Sequence, residues 1–386
     1  MAGSYPRRPY VVLTLFGRCG SLFLHSLFDG HPLLSSIPGI APYGVLGEAA
    51  QSPAVLAAGP DEQARFLAAR FAHFFNTPLF REDAGLDRLG AGGDEVASID
   101  AEAFRGHAHA SLAARQDQAP LLRLCEAMHD AFDLCVLGGT RPRGFLQLHA
   151  LVPTHSAAII DSLPQRKVLF LARSPVENIE SCVNALLIRE PVQRSRLTKL
   201  YNIVGGMLAL QAGQPYLDEG SLAVRFEDLK KAPQEVLRAI CGFAGLPFDD
   251  ALLSSTYMGR AYQSPPTRRN PGIRGFAAPS AAPSGYRLGA KDRAFFAALF
   301  RGLGERLGYD MSEAAPAALV EALVTRHFLD LELEFARHLG LADGQLARQP
   351  DTLGFRQQLA SMPGIFGGPA CGVRSAGIAL GGAATA

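Results

Sequence analysis

The sequence predicts an α/β fold: a mostly parallel sheet flanked by helices, with a large helical insertion and a C-terminal helix. Three observations predict it. Short runs of β-forming residues recur at Tyr10 to Phe16, Gly144 to His149, Lys167 to Ala172 and Leu222 to Phe226. Stretches of helical periodicity separate them, the alternation that builds parallel sheets with helices on both faces. The third is KVLFLA at Lys167 to Ala172, an unbroken apolar run of the kind found in a strand covered on both sides.

The first element is Tyr10 to Phe16, which stops at Gly17-Arg18-Cys19-Gly20-Ser21. An apolar-periodic segment with Leu22, Leu24, Leu27 and Phe28 then runs to Asp29-Gly30 and Pro32. This is strand, tight loop, helix, a P-loop-like beginning. Two glycines let backbone fold closely around a ligand, and amides at a helix start point at whatever sits there, so a phosphate is the natural occupant. Arg18 adds a permanent charge and a planar donor fork. The same layout also serves as a plain structural connection. It is not a Walker A loop, because the lysine and following Ser/Thr of GxxxxGK(S/T) are absent, which disfavours a metal-assisted nucleotide hydrolase.

Leu33 to Gly47 is rich in Pro and Gly and reads as a succession of turns. From about Ser52 to Cys135 the chain reads mostly helical, in QARFLAARFAHFF, AEAFRGHAHASLAARQ and LLRLCEAMHDAF, and forms the insertion at about residues 50–140. After KVLFLA comes Arg173-Ser174-Pro175-Val176-Glu177. Ser174 as N-cap, Pro175 at the first helical position and Glu177 three after the cap predict a capping box and a helix to about Arg189. Leu222 to Phe226 reads as a strand, Glu227-Asp228-Leu229 as its turn, and PQEVLRAICGFAGLPF as a helix ended by Gly245 and Pro247. Ser264 to Tyr286 is a Pro/Gly/Ser-rich loop holding Arg268, Arg269 and Arg274. Helical pattern resumes near Asp292, and Ala317 to Leu341 reads as one long helix. The domain reading is therefore 1–312 for the α/β domain, 313–342 for a helical extension and 367–386 for a Gly/Ala-rich disordered tail.

Composition bounds the function. With 386 residues, 48% of them hydrophobic and 19% charged, the chain can bury a large core. A formal charge of +1 does not support a general nucleic-acid or membrane-surface binder and leaves room only for a local basic cleft. Cys19, Cys125, Cys135, Cys182, Cys241 and Cys371 form no CxxC pair, which reads as reduced thiols. MAGSYPRRPY runs straight into the first strand without a leader pattern, and no apolar stretch approaches a membrane span. The expectation is a soluble cytoplasmic protein, with peripheral membrane contact left open.

In parallel α/β sheets ligands bind beyond the carboxyl ends of the strands, where the loop at 17–22 and Arg173 both lie. An Arg-bearing anion loop after the first strand, Arg173 opening a helix with Ser181 eight residues on, and a late Arg-rich loop together resemble the sulfotransferases that use 3'-phosphoadenosine-5'-phosphosulfate (PAPS). The resemblance covers roughly Pro9 to Tyr309. In that family the loop reads Pro or Gly, Lys or Arg, Ser, Gly, then two Ser/Thr, and holds the 5'-phosphosulfate; here it stands as Gly17-Arg18-Cys19-Gly20-Ser21-Leu22. The family's R-x-P and later serine, which bind the 3'-phosphate, are matched by Arg173, Pro175 and Ser181. E-D-L appears as Glu227-Asp228-Leu229, F-x-G-L-P as Phe243 to Pro247, and D-x-H-P as Asp29 to Pro32.

The resemblance implies PAPS as co-substrate, 3'-phosphoadenosine 5'-phosphate as product, and no metal. Arg18 and the loop amides would stabilise charge on the departing phosphate, and Arg173, Ser181 and one of Arg268, Arg269 or Arg274 would grip the 3'-phosphate. Two residues are candidates for the general base: His149, 24 residues before Arg173, and Glu48, soon after the loop helix. The implied acceptor is a hydroxyl or amine of a small molecule, lipid or carbohydrate. The rivals are a nucleotide-dependent kinase and a non-catalytic nucleotide- or anion-binding protein. Cys19 and Leu22 depart from the family's hydroxyl residues and remove two side-chain donors. The chain has no Trp, so the aromatic after the loop is Phe23, and adenine must stack on Phe or Tyr. His25 and His31 read as structural, and His107 and His109, at i and i+2, do not share a helix face that could hold a metal.

Overall fold

The computed structural model describes residues 7–375, apart from 16, 40, 76–88, 150–152, 188–193, 212–219, 263–275, 277–286, 326–328, 343–344, 347, 349 and 362–373. They fall into two compact units. The first comprises Met1–Thr14, Gly20–Leu169 and Asp228–Pro283; the second comprises Leu15–Cys19, Phe170–Glu227 and Ser284–Ala386. The architecture is the expected one, a mostly parallel sheet flanked by helices.

In the first unit, β1 (Tyr10–Leu15) is buried along its whole length, β2 is Leu34–Ser36, β3 is Arg143–His149 and β4 is Arg166–Ala172. Their order is β2-β3-β1-β4. β2 lies parallel to β3, with Leu34 opposite Arg143 and Ser36 opposite Phe145. The sequence reading of Leu33 to Gly47 as turns is thus corrected, because the segment holds β2 and most of a helix, Ala41–Ala50. Serine has no strand preference of its own. Here pairing with β3 makes the strand, and the buried Ser35 and Ser36 hydroxyls find partners in His129 and His25.

The insertion is helical as expected. Pro60–Arg70 and Pro120–Val136 pack against Ala101–Ala114, whose first turn is capped by the Asp100 carboxylate accepting from the amide of Ala103 at 2.7 Å. Phe71, Phe74, Phe104 and Phe132 are buried in this layer, with the Phe71 and Phe104 rings stacked at 5.1 Å. Under it lies an ionic cluster. Glu126, Asp130 and Asp133 recur at helical spacing on one face of Pro120–Val136, all buried. Arg8 reaches Glu126 at 3.0 Å, Asp130 at 2.7 Å and Asp133 at 3.1 Å, and Arg115 reaches Asp130 at 2.6 Å. Burial pushes Asp133 up to about 6 against the pull of Arg8, and raises Glu126 as well.

In the second unit β4 runs on through Ala172, followed by β5 (Leu222–Arg225). A two-residue strand, Arg374–Ser375, lies parallel to β5, within the stretch read as a disordered tail; the rest of 367–386 lies outside the described residues. Residues Phe226–Lys231 are helical, which corrects the expected turn at Glu227-Asp228-Leu229. Ala317 to Leu341 is not one helix either. It contains Ala317–Thr325 and Asp330–His338, with Leu329 in an extended conformation. The break has a tertiary cause. The buried Asp292 carboxylate accepts from the amides of Asp330 and Leu331, each at 2.8 Å, and so caps a new helix where apolar periodicity continues unbroken.

Candidate active site

The loop after β1 takes a backbone path that side chains rarely tolerate. Arg18 has φ +69° and Gly20, the residue before the helix Ser21–Phe28, has φ +91°. Glycine adopts this region freely, whereas an arginine there costs about 1 kcal/mol or more. Such strain persists only where neighbouring structure enforces it.

The enforcing element in the second unit is the helix Pro175–Leu187. Asn178 Nδ2 donates to the Gly17 carbonyl at 3.1 Å, and the Cys182 thiol donates to the same oxygen at 3.6 Å. Arg173 Nη1 donates to the Arg18 carbonyl at 3.3 Å. The predicted residues Gly17, Arg18, Cys19 and Arg173 therefore come together. Ser181 lies on the same helix face, three residues after Asn178 and beside Cys182, and is half-buried. Arg18 is exposed and Cys19 buried. Burial pushes the Cys182 thiol up to about 12, so it stays a neutral donor.

Glu227 orders the start of this helix. One oxygen accepts from the Ser174 amide at 3.3 Å, and the other accepts from the Tyr309 hydroxyl at 2.7 Å. The capping box expected between Ser174 and Glu177 is thereby corrected: Glu227, distant in sequence, takes the amide, and Glu177 lies 3.8 Å from the Arg173 guanidinium instead. Asn178, Cys182 and Glu227 are functional candidates that motif matching did not single out for the loop. Asn178 was open to detection as a polar residue on the buried face of an amphipathic helix.

In the first unit, Gly20 and Ser21 begin the helix, with Ser21 buried and Leu22 exposed at 59%. Lys230 sits with its ammonium 3.9 Å from the centre of the Phe23 ring, and Phe276 meets that ring edge-on at 5.1 Å. A small cleft beside the helix is lined by residues that include Leu22, His25, Asp29, Pro38, Tyr257 and Tyr262. His25 holds Gln147 through Nδ1 and the Ser36 hydroxyl through Nε2, each at 2.8 Å, and burial pulls it down to about 4, so it is neutral. Asp29 accepts from the Gly259 amide at 2.9 Å. His31 accepts from the Leu33 amide and so donates from Nε2 to the Pro247 carbonyl at 3.0 Å. Thus Asp29-Gly30-His31-Pro32 ties to Phe243 to Pro247, and both stretches hold structure.

The remaining predicted residues are less gathered. Glu48 lies in Ala41–Ala50, exposed and paired with Arg70, whose Nε donates at 2.8 Å and holds the carboxyl below its ordinary range. His149 is the last residue of β3, and its side chain lies outside the described residues, as do Arg268, Arg269 and Arg274. Among the described residues no group of three or more His, Cys, Asp and Glu could hold a metal, and no helix is long and apolar enough to cross a membrane. Cys19, Cys125, Cys135, Cys182 and Cys241 are in no disulfide among the described residues.

The site has a feature that fits a bound phosphate. Arg173 Nε is buried and has no hydrogen-bond partner among the described residues, although a buried guanidinium N–H is normally paired.

Several solved structures are similar. The sulfotransferase domain of the olefin synthase from Synechococcus PCC 7002 is 18% identical, covers 67% of this chain and 82% of its own, and has a TM-score of 0.36. A sulfotransferase from Alicyclobacillus acidocaldarius is 17% identical over 84% of this chain and 98% of its own, with a TM-score of 0.37. A sulfotransferase from Mycobacterium tuberculosis H37Rv is 16% identical over 64% and 70%, with a TM-score of 0.34. No curated protein matches the chain. The sequence model of the "Sulfotransferase family" matches residues 9–250. That match spans more than half of the chain, and the chain belongs to the sulfotransferase family.

Proposed function

We propose that the protein transfers a sulfuryl group from PAPS to a hydroxyl or amine of a small-molecule, lipid or carbohydrate acceptor. The observation that carries this reading is Arg173, which binds the Arg18 carbonyl while its buried Nε has no partner among the described residues. A guanidinium held beside an anion loop with a donor to spare suits a 3'-phosphate, and Ser181 adds a hydroxyl on the same helix face. PAPS would bring an activated sulfuryl group on a phosphate leaving group. Arg18 and the loop amides then stabilise the charge that builds on that phosphate.

Calorimetric titration with 3'-phosphoadenosine 5'-phosphate, AMP and ATP tests the donor. Wild type is expected to prefer the 3'-phosphorylated nucleotide, and Arg173→Ala to lose that preference by about a hundredfold, the scale of a charge-assisted bidentate contact. Equal binding of all three nucleotides would sink the reading. Tight ATP binding that requires magnesium would point to a kinase, and binding without turnover on any acceptor to an anion-binding protein.

We assign the general base to His149 rather than Glu48. Gln147, two residues earlier on β3, bonds His25 on the helix after β1. Two residues on along a strand cover about 6.6 Å, and four residues back along the helix, to Ser21, cover about 6 Å. Position 149 is therefore level with the start of that helix. Glu48 is held by Arg70, which makes it a weaker base than a free carboxylate. His149→Ala is expected to lower kcat about a hundredfold and to remove the acidic limb of its pH profile, with Glu48→Ala near wild type. The opposite pattern would give the role to Glu48.

A further inference from the structure

Two side chains of the helix Pro175–Leu187 and one from two residues before it bind two consecutive carbonyls of the loop: Asn178 and Cys182 on Gly17, and Arg173 on Arg18. Nothing in the chemistry of phosphate recognition requires this, because carbonyls do not bind anions. The consequence lies on the other side of each peptide. In a trans peptide the C=O and the following N–H point in opposite directions. Holding the Gly17 carbonyl toward the helix turns the Arg18 N–H away from it, and holding the Arg18 carbonyl does the same for the Cys19 N–H. Consecutive amides turned to one side of a loop with a left-handed residue form a concave anion seat, and Arg18 has φ +69°.

We propose that Asn178 is the positioning residue of this seat, fixing the Gly17-Arg18 peptide so that loop amides face the 5'-phosphate of the donor. Asn178 is buried and is central to the arrangement. Its Nδ2 makes the shorter of the two bonds to the Gly17 carbonyl, and its Oδ1 lies 3.8 Å from the Cys182 thiol, which can donate there as well. A thiol is a weak donor and cannot hold the peptide alone. Arg173 acts on the next carbonyl, so it would add to the effect of Asn178 without replacing it. The role also accounts for the departures at Cys19 and Leu22. With two hydroxyl donors missing from the loop, recognition of the anion rests on backbone amides, and a device that aims those amides gains importance.

This inference rests on the PAPS reading, so its test separates the two. Wild type, Asn178→Ala and the nearly isosteric Asn178→Asp are titrated with 3'-phosphoadenosine 5'-phosphate and with adenosine 3'-monophosphate, which lacks the 5'-phosphate. Thermal melting of each variant reports folding. In Asn178→Asp a carboxylate oxygen replaces the donor and repels the Gly17 carbonyl. Both variants are expected to bind the bisphosphate about tenfold more weakly, the equivalent of one hydrogen bond, and to bind the 3'-monophosphate like wild type. Equal weakening of both ligands would show a merely structural role and overturn the proposal, as would unchanged binding of both. Should one variant fail to fold, the other decides alone; should neither fold, the role is structural and the proposal is overturned. A wild type that binds neither ligand overturns the donor reading and this one with it.

Discussion

Replacing Arg18 with alanine is expected to slow sulfuryl transfer by about two to three orders of magnitude, the loss typical of removing one preorganised donor from a developing oxyanion. The fold should survive. Arg18 is exposed, and the structure ties down its backbone carbonyl. Its φ of +69° supplies a sharper control, because an L-residue there costs about 1 kcal/mol that glycine does not. Arg18→Gly should therefore melt no lower than wild type while losing rate as Arg18→Ala does. Arg18→Lys keeps the charge and loses the planar fork, so its rate should fall between wild type and the other two variants. Steady-state rates of the three variants beside their melting curves check this. A fully active glycine variant would mean that the arginine's role is confined to the loop's shape.

Arg8→Ala should destabilise the fold by about 3–5 kcal/mol. The guanidinium is 2% exposed and bridges Glu126, Asp130 and Asp133, which are also buried. Breaking a buried ion pair by removing one partner costs about 3–5 kcal/mol, because the other charge remains without compensation. Here three carboxylates would be left with Arg115 alone, which reaches Asp130 at 2.6 Å and Glu126 at 3.7 Å. The pH dependence has a definite sign. Asp133 titrates at about 6 in the folded protein, above its ordinary 3.8, so between these values the folded state binds more protons than the unfolded one and stability rises as pH falls. Without Arg8 the folded value moves higher still. Urea denaturation should therefore show the deficit of Arg8→Ala to be larger at pH 7.5 than at pH 5. A loss of under about 1 kcal/mol at pH 7.5 would show that water replaces the guanidinium without difficulty.

The strands that carry the site were legible because their signals are local. Tyr10–Leu15 and Arg166–Ala172 hold apolar runs that stop near glycine or at an arginine two residues before a proline, and the structure forms both close to the predicted bounds. The helix Pro233–Ala244 ends at Gly245 with φ +66°, as a C-terminal glycine requires. Elements that depend on a partner were not legible. β2 is three residues with two serines and exists because β3 lies beside it. The expected single helix at Ala317 to Leu341 divides because Asp292, far away in the chain, caps its second half.

The same division runs through the candidate site. Residue type and spacing alone determined that Gly17 to Leu22 joins a strand to a helix, that Arg173 stands just before a later helix, and that the chain resembles sulfotransferases, which the match over residues 9–250 bears out at the level of the family. Such features are periodic, or sit at fixed offsets within one turn or loop, and neighbours in sequence suffice to encode them. Only the tertiary structure decided that Asn178 and Cys182 hold the Gly17 carbonyl, that Glu227 rather than Glu177 takes the Ser174 amide, and that Arg70 holds Glu48. Each is a hydrogen bond between groups that chain folding alone brings together. A donor's partner depends on which acceptor arrives within about 3 Å, and no pattern in the sequence records that distance.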